Sequence, residues 1–398
     1  MIEESTPAFW RATLALCCGS FMIFSNLYVT QPLQPELQAY FGITTLQANL
    51  PLAIATLMLG LSLLVYGPLS DALGRSSIML ITMTGVVLTT LVLAFAPDFT
   101  SLVYLRGLQG FLLGGLPAVA LAYMGDEFSK RAMALAVGLY ISGNTLGGIC
   151  GRLFSGFIAD SFDWRASFLA ASMISLVCLV IFWWALPASR QFKPKTPSIQ
   201  KMFRDLTGHL RNPLLVAAYL LGGLNFFIFI NQYSYVSYLL AGDPWLLSSS
   251  FIGLLFLTYL SGTLAASVSG RLASHLPQPL CMALGVGLLI IGSLVLLVPH
   301  LLALLTGLLI NSFGFFYCHS HLSGWVSRQA HQARASANSL YLVFYYLGAS
   351  TGGFYLDLFW SRWHWSGVIA GSLLVLMITL GLSLWLWRQD PRSLNQLS

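Results

Sequence analysis

Twelve apolar runs, each close to the length of a bilayer-spanning helix, fill most of this 398-residue chain. They lie near 10–31, 47–69, 77–96, 100–124, 133–158, 165–186, 213–240, 249–270, 279–298, 300–323, 335–358 and 365–387. A helix needs about 20 apolar residues to cross the hydrocarbon core. In lipid every backbone N–H and C=O must be paired internally, which a helix achieves within one segment. The residue balance agrees: the chain is 57% hydrophobic and 8% charged. A soluble domain carries about 25% charged residues, so this chain cannot cover a water-facing surface. The expectation is an all-α polytopic membrane protein with twelve transmembrane helices.

A formal net charge of +6 could suit nucleic acid. The location of the charge argues against that. With the N-terminus inside, fifteen of the nineteen Lys and Arg residues fall in cytoplasmic segments, including Arg11, Arg75, Lys130, Arg131, Arg271, Arg328, Arg334 and Arg388. Only Arg165 and Arg362 fall on the opposite side, while Arg106 and Arg152 lie within spans. This positive-inside bias predicts that both termini are cytoplasmic. The basic charge therefore reads as topology, and no nucleic-acid partner is expected. All six cysteines lie in apolar spans, which predicts free thiols. Met1–Ser5 is acidic and lacks a cationic signal start, so the first span is expected to direct insertion itself.

Every connection is short except the one from about 187 to 212, which carries six basic residues. It divides the chain into 1–186, a linker, and 213–398. Within the linker Ile199, Met202, Phe203, Leu206 and Leu210 recur at helical spacing, predicting an amphipathic helix on the inner leaflet with Ser198 as N-cap. The two halves echo one another. Gly67-Pro68-Leu69-Ser70-Asp71-Ala72-Leu73-Gly74-Arg75 has a faint copy starting at Gly270, 203 positions later. Lys130-Arg131-Ala132 corresponds to Ala333-Arg334-Ala335, and Asp163-Trp164 to His364-Trp365, at nearly the same offset. Parallel six-helix repeats are a transporter architecture, with the substrate site near the midplane between them.

These residues carry a family resemblance. The Gly67–Arg75 turn resembles the signature loop between the second and third helices of the major facilitator superfamily. Arg106-Gly107-Leu108-Gln109-Gly110 resembles its fourth-helix motif, and Gly138-x8-Gly147-x3-Gly151-Arg152-x3-Gly156 its exporter-associated fifth-helix motif. Tyr28-Val29-Thr30-Gln31-Pro32 and His319–Trp325 are similar to the YnfM-type branch of bacterial inner-membrane (drug/sugar efflux-like) transporters. The resemblance covers the whole chain and implies two pseudo-symmetric six-helix bundles working by alternating access. It implies further that Asp71 faces the start of the eleventh span near Ser336-Ala337-Asn338, and that Arg75 pairs with Asp126. The fifth and eighth spans would pack together, and spans 1, 4, 7 and 10 would line the cavity. The exporter pattern carries Pro after its third Gly, where this chain has Arg152, so the motif does not settle direction.

Gly67, Asp71, Gly74, Arg75, Asp126 and Arg131 are then the candidate conformational latch, the alternative being a solvated turn. Small-residue ladders at four-residue spacing, Gly143, Gly147, Gly151 and Ser155 in the fifth span and Gly262, Ala266 and Gly270 in the eighth, mark candidate sliding or static packing surfaces, with Gly156 a further packing candidate. Arg106 and Arg152 are costly inside a membrane and read either as contacts to a polar or anionic solute or as snorkelling side chains. Asn26, Gln109, Asn225 and Asn311 are paired by the half-repeat, with Asn26 matching Asn225 and Gln109 matching Asn311. With Gln31, Asn231, Gln232, Tyr233, Tyr235 and Tyr238 they form a candidate polar-aromatic cavity lining, or else an interhelical hydrogen-bond set.

No nucleotide-binding loop of the G-x4-G-K-[ST] type occurs, which leaves an ion gradient or facilitated diffusion. Asp126, Glu127 and His319 are the candidate proton carriers. His319 and His321 lie on roughly opposite helix faces, so no metal site is expected, nor any cofactor. The sequence thus reads as a monomeric, multi-pass transporter of a bacterial inner membrane that moves a small organic solute. Proton-coupled efflux (antiport) is favoured over uptake of a small organic anion held by Arg106 and Arg152. A membrane enzyme or sensor would need catalytic clusters that loops this short leave no room for.

Overall fold

The computed structural model describes residues 1–4, 6–189, 192, 199–272 and 276–389. In chain order its helices are α1 (Pro7–Tyr28), α2 (Gln34–Phe41), α3 (Thr45–Leu73), α4 (Arg75–Leu93), α5 (Phe99–Leu113), α6 (Gly115–Glu127), α7 (Lys130–Ser161) and α8 (Trp164–Ala185). There follow α9 (Ile199–Leu210), α10 (Pro213–Ala241), α11 (Ser249–Leu254), a 3-10 turn (Leu255–Tyr259), α12 (Leu260–Leu272), α13 (Gln278–Val295), α14 (Leu301–Gln329) and α15 (Arg334–Gln389).

Among the described residues, eleven helices are long and apolar enough to cross a membrane, counting α5 with α6 and α11 with α12 as single spans. The last, α15, has 56 residues and would extend about 84 Å at 1.5 Å per residue, far beyond the ~30 Å hydrocarbon core. It is broken at His364, whose backbone (φ 49°, ψ −137°) is non-helical. The two arms supply the eleventh and twelfth crossings.

Helix starts follow local chemistry. Thr6, Thr44, Asp98, Ser129, Asp163, Asn212 and His300 each accept a hydrogen bond from a backbone N–H of the first turn they precede, which satisfies donors that lack an intrahelical partner. At Thr44 the box is reciprocal, because Gln47 reaches back to the Thr44 N–H at 2.9 Å. The N–H of Ser101 holds the Asp98 carboxyl below the usual carboxylate range. Two spans predicted as single helices are interrupted. The fourth breaks at Gly114 between α5 and α6, and the eighth is divided among α11, the 3-10 turn and α12.

The chain forms two compact units, Met1–Ser198 with Pro244–Leu254, and Ile199–Asp243 with Leu255–Ser398. In the first, Val29, Leu33, Leu37, Leu93, Leu102, Trp164 and Phe168 form a core cluster. In the second, α10 lies against α15, where Gly223 faces the Phe344 carbonyl and Gly352 faces the Phe227 carbonyl. The expected linker helix is present as α9, held by buried Leu206 and by a 3.2 Å contact from His209 Nε2 to the Ala333 carbonyl. Its proposed N-cap Ser198, the linker residues Arg190, Lys193 and Lys195, and Ala273–His275 of the second-half turn lie outside the described residues.

Candidate functional site

The first unit buries a polar network around Arg106, which α5 places at 0% exposure. α1 ends at Tyr28, so carbonyls of its last turn lack intrahelical donors and carry the negative end of the helix dipole. The guanidinium fills that place. Nη1 donates to the Asn26 carbonyl at 2.9 Å, Nη2 to the Leu27 carbonyl at 2.7 Å, and Nε to the Pro51 carbonyl of α3 at 3.1 Å. Nη1 also donates to Gln109 Oε1. Gln109 Nε2 donates to Thr90 Oγ1 of α4 at 2.7 Å, and Thr90 donates to Asn26 Oδ1 at 2.8 Å. Asn26 Nδ2 closes the set on Ser175 of α8 at 2.7 Å. One cation and four polar side chains thus tie α1, α3, α4, α5 and α8 together in a buried interior, where unpaired polar groups would be costly.

Arg152 of α7 is likewise buried. Its Nε donates to Gln31 Oε1 at 2.8 Å, its Nη1 to the Gly148 carbonyl at 2.8 Å, and its guanidinium lies 3.8 Å from the centre of the Tyr28 ring. Among the described residues of the first unit, neither Glu36 nor Asp160 forms an ion pair with either arginine. The small-residue ladder has a partner other than the one expected. Gly143, Gly147 and Gly151 face the backbone of Cys17, Phe21 and Ser25, which seats α7 on α1. Gly156 meets Ser249 and Gly253 of α11, the part of the eighth span that belongs to this unit. Gly262 faces the Phe316 ring of α14, and Gly270 lies in α12. The ladder spacing defines a close-packing face without naming its partner, and α1 occupies that face.

At the end of the first unit where α3 meets α4, Arg75 gathers three partners. Nη2 pairs with Asp71 at 2.5 Å, Nε with Asp126 Oδ2 at 3.1 Å, and Nη1 donates to Ser70 Oγ at 2.7 Å. Gly74, at φ 102°, makes the turn with a backbone that side-chain-bearing residues rarely adopt. Gly67 has open space around it. Arg131 does not join this cluster, since it pairs with Glu4 at 2.6 Å. Glu127 accepts from Ser189 Oγ at 2.5 Å, and its backbone carbonyl receives the Ile2 N–H at 2.6 Å.

The second unit holds a matching network, with one correction to the expected pairing. Asn311 Nδ2 of α14 donates to Gln232 Oε1 of α10 at 2.8 Å, and Gln232 Nε2 donates to Ser293 of α13 at 3.0 Å. This amide–amide–hydroxyl set parallels Asn26, Gln109 and Thr90. The counterpart of Asn26 is therefore Gln232 and not Asn225, which donates to Cys318 Sγ at 3.3 Å. The two candidates are two helical turns apart on one face, so spacing alone could not separate them.

Asn231 bridges the Phe227 and Ala349 carbonyls at 2.9 and 3.0 Å. Tyr233 shares a 2.6 Å hydrogen bond with Thr258, and Tyr235 donates to the Gly353 carbonyl at 3.0 Å and to Asp357 Oδ1 at 3.3 Å. His319 Nδ1 contacts Tyr341 Oη at 2.7 Å, and its ring lies 5.0 Å from that of Tyr345. Phe226 stacks on Tyr345 at 3.8 Å and Phe229 on Phe315 at 4.0 Å.

Twelve crossings, two units with matching polar sets and a charged Gly67–Arg75 turn describe a membrane transporter built from a repeat. The sequence profile of the Major Facilitator Superfamily matches residues 16–353. The chain belongs to the Major Facilitator Superfamily. It is 37% identical over 387 residues to the uncharacterized MFS-type transporter YybF of Bacillus subtilis (strain 168), covering 97% of this chain and 96% of that one. It is 35% identical over 381 residues to the inner membrane transport protein YnfM of Escherichia coli (strain K12), covering 96% and 91%. Its fold is similar to that of a bacterial homolog of the human lysosomal transporter Spinster in an inward-facing, occupied conformation, with a TM-score of 0.77 at 15% identity over 98% of this chain and 99% of that one. That identity speaks to the fold alone.

As a major facilitator, the chain is a multi-pass membrane transporter of a small-molecule solute and not an enzyme. Sequence reasoning found the polar residues of both networks but missed Thr90, Ser175, Ser293, Tyr341 and Tyr345. Hydroxyls are common in membrane helices, so no single one stands out. The available signal was Tyr341-x3-Tyr345, two phenols one helical turn apart in the eleventh span, facing His319.

Proposed function

We propose that this chain is a proton-coupled exporter of small organic solutes in a bacterial inner membrane. In this reading it works as a monomer by alternating access between halves 1–186 and 213–398, joined by the linker 187–212, with both termini cytoplasmic. The observation that carries the reading is the Asp71–Arg75–Asp126 cluster. A salt-bridged turn at one end of the first unit is a natural place for a contact that forms and breaks between two states. The positive-inside bias supports the orientation, and the inner-membrane relative supports the location.

The rival reading, uptake of an organic anion, uses Arg106 and Arg152 as counter-ions. Arg106 commits four hydrogen bonds to its own unit, and this counts against a solute role for it. Flux into sealed inside-out vesicles tests the proposal, with ethidium, lactose and benzoate standing for drugs, sugars and organic acids. Accumulation of at least one compound only under a pH gradient is expected. Gradient-independent movement of every compound, or a strict preference for benzoate entering cells, would overturn it.

A further inference from the structure

The described membrane-spanning helices carry five carboxyl side chains: Asp71, Asp126, Glu127, Asp160 and Asp357. Four lie within two residues of a helix end, at the close of α3, α6 and α7. Each of these has a polar partner there: Arg75 for Asp71 and Asp126, Ser189 for Glu127, and Ser250 for Asp160. Asp357 differs in depth and in company. It stands seven residues before the break at His364, roughly 10 Å into the helix at 1.5 Å per residue.

Among the described residues of the second unit, Asp357 is surrounded by phenols and not by a counter-ion. From α10, Tyr235 Oη donates to Oδ1 at 3.3 Å, and the same hydroxyl reaches the Gly353 carbonyl at 3.0 Å. Tyr238 is the second phenol facing it from α10. On its own helix the Trp360 ring lies 5.5 Å from that of Tyr235, with His364 edge-on to Trp360 at 5.7 Å, while Arg362 is exposed. α13 has no charged residue, and the titratable side chains of α14 begin at Tyr317, far from its start at Leu301. Among the described residues of the second unit, no Lys, Arg or His forms an ion pair with Asp357. A half-buried acid inside a spanning helix is expensive as an unpaired ion, and such residues mark ion or proton pathways. With no ion pair to a described residue of its own unit, it can gain or lose a proton there without breaking a salt bridge.

We propose that Asp357 is the group that carries the coupling proton, with Tyr235 positioning its carboxyl. The inference rests on the proton-coupled reading above. Tyr235 engages Oδ1, which leaves Oδ2 to take one proton from water on the proton-rich side and form the neutral acid. Loss of that proton to the opposite side restores the carboxylate. The gradient drives the cycle, and no other reactant is consumed.

The experiment uses the full chain in proteoliposomes and compares wild type with Asp357→Asn, Asp357→Glu and Tyr235→Phe. The probe is whichever of ethidium, lactose or benzoate wild type moves under a pH gradient. Asp357→Asn is expected to lose gradient-driven accumulation while keeping counterflow of the same compound at equal pH. Asp357→Glu should restore accumulation, and Tyr235→Phe should move its pH profile without abolishing counterflow. A misfolded variant would lose counterflow too, and Asp357→Glu together with Tyr235→Phe then decides the matter by the pH profile. Gradient-driven accumulation retained by Asp357→Asn would overturn this inference while leaving proton coupling intact. A wild type indifferent to the gradient for all three probes would overturn both.

Discussion

At the scale of single residues, Arg106 shows how a charge can be tolerated in a membrane interior without an acid. Its partners are carbonyls near the end of α1, the Pro51 carbonyl and Gln109, so the helix terminus supplies the countercharge. Arg106→Ala would strand several buried acceptors and should cost at least about 3 kcal/mol, since each buried unsatisfied group costs about 1–3. Arg106→Lys keeps the charge, but three donors on one nitrogen cannot reach four acceptors, and an intermediate loss is expected. Thermal unfolding in detergent checks this; an Arg106→Ala protein as stable as wild type but inactive would move the residue to the solute.

Glu36 gives a second residue-scale prediction, this one in pH. Burial pushes its carboxyl above the usual range, the Trp164 N–H pulls it down, and Asp163 and Asp160 push it up again, with a raised value as the result. A raised acid binds its proton more tightly in the folded state. Its stabilising contribution is therefore complete below the ordinary glutamate value of about 4.3 and is lost as pH rises through the raised value. Glu36→Gln keeps an acceptor for Trp164, and should be more stable than wild type at about pH 7 and converge with it at about pH 4. A difference independent of pH would contradict the assignment. The sequence revealed Arg106 as a charge within an apolar span and Glu36 as an acid just beyond one. It could not reveal their partners, because backbone carbonyls and N–H groups leave no mark in a sequence.

At the scale of elements, α7 on α1 is the contact where shape decides. An added Cβ at Gly143 would stand 2.9 Å from the Cys17 carbonyl, and one at Gly151 would stand 2.5 Å from the Ser25 carbonyl. Backbone cannot yield as a flexible side chain can, so Gly151→Ala should cost about 1–3 kcal/mol through helix displacement. Gly138→Ala on the same helix meets nothing within 4 Å. It should be neutral or stabilise by up to about 1 kcal/mol through helix propensity. Comparing the two unfolding midpoints checks the argument, and equal effects would refute it. The ladder itself was legible as four-residue spacing. Its partner was not, because any helix with an open backbone face could have accepted it. The break at Gly114 was hidden for a related reason: apolar periodicity runs straight through it, whereas the gap between the runs 335–358 and 365–387 already marked the break at His364.

At the scale of the whole molecule, twelve crossings and two repeats were legible because bilayer thickness and duplication leave long-range marks on a chain. The contact proposed to form and break between the states leaves a shorter mark, the turn at Asp71 and Arg75. These side chains keep 37% and 11% of their surface. An exposed pair is worth only about 0–1 kcal/mol to folding, so Asp71→Asn should leave the unfolding midpoint nearly unchanged. The same small energy acts differently on two conformations close in free energy, where about 1.4 kcal/mol shifts the populations tenfold. Asp71→Asn is therefore expected to slow flux several-fold while expression and stability stay at wild-type levels. Asp126→Asn removes the other carboxylate from Arg75, and the double variant should do little more than the more harmful single one, because both act through one guanidinium. Additive losses would mean that the two carboxylates act separately. Normal flux in Asp71→Asn would remove the turn from the transport cycle and leave it a helix connection.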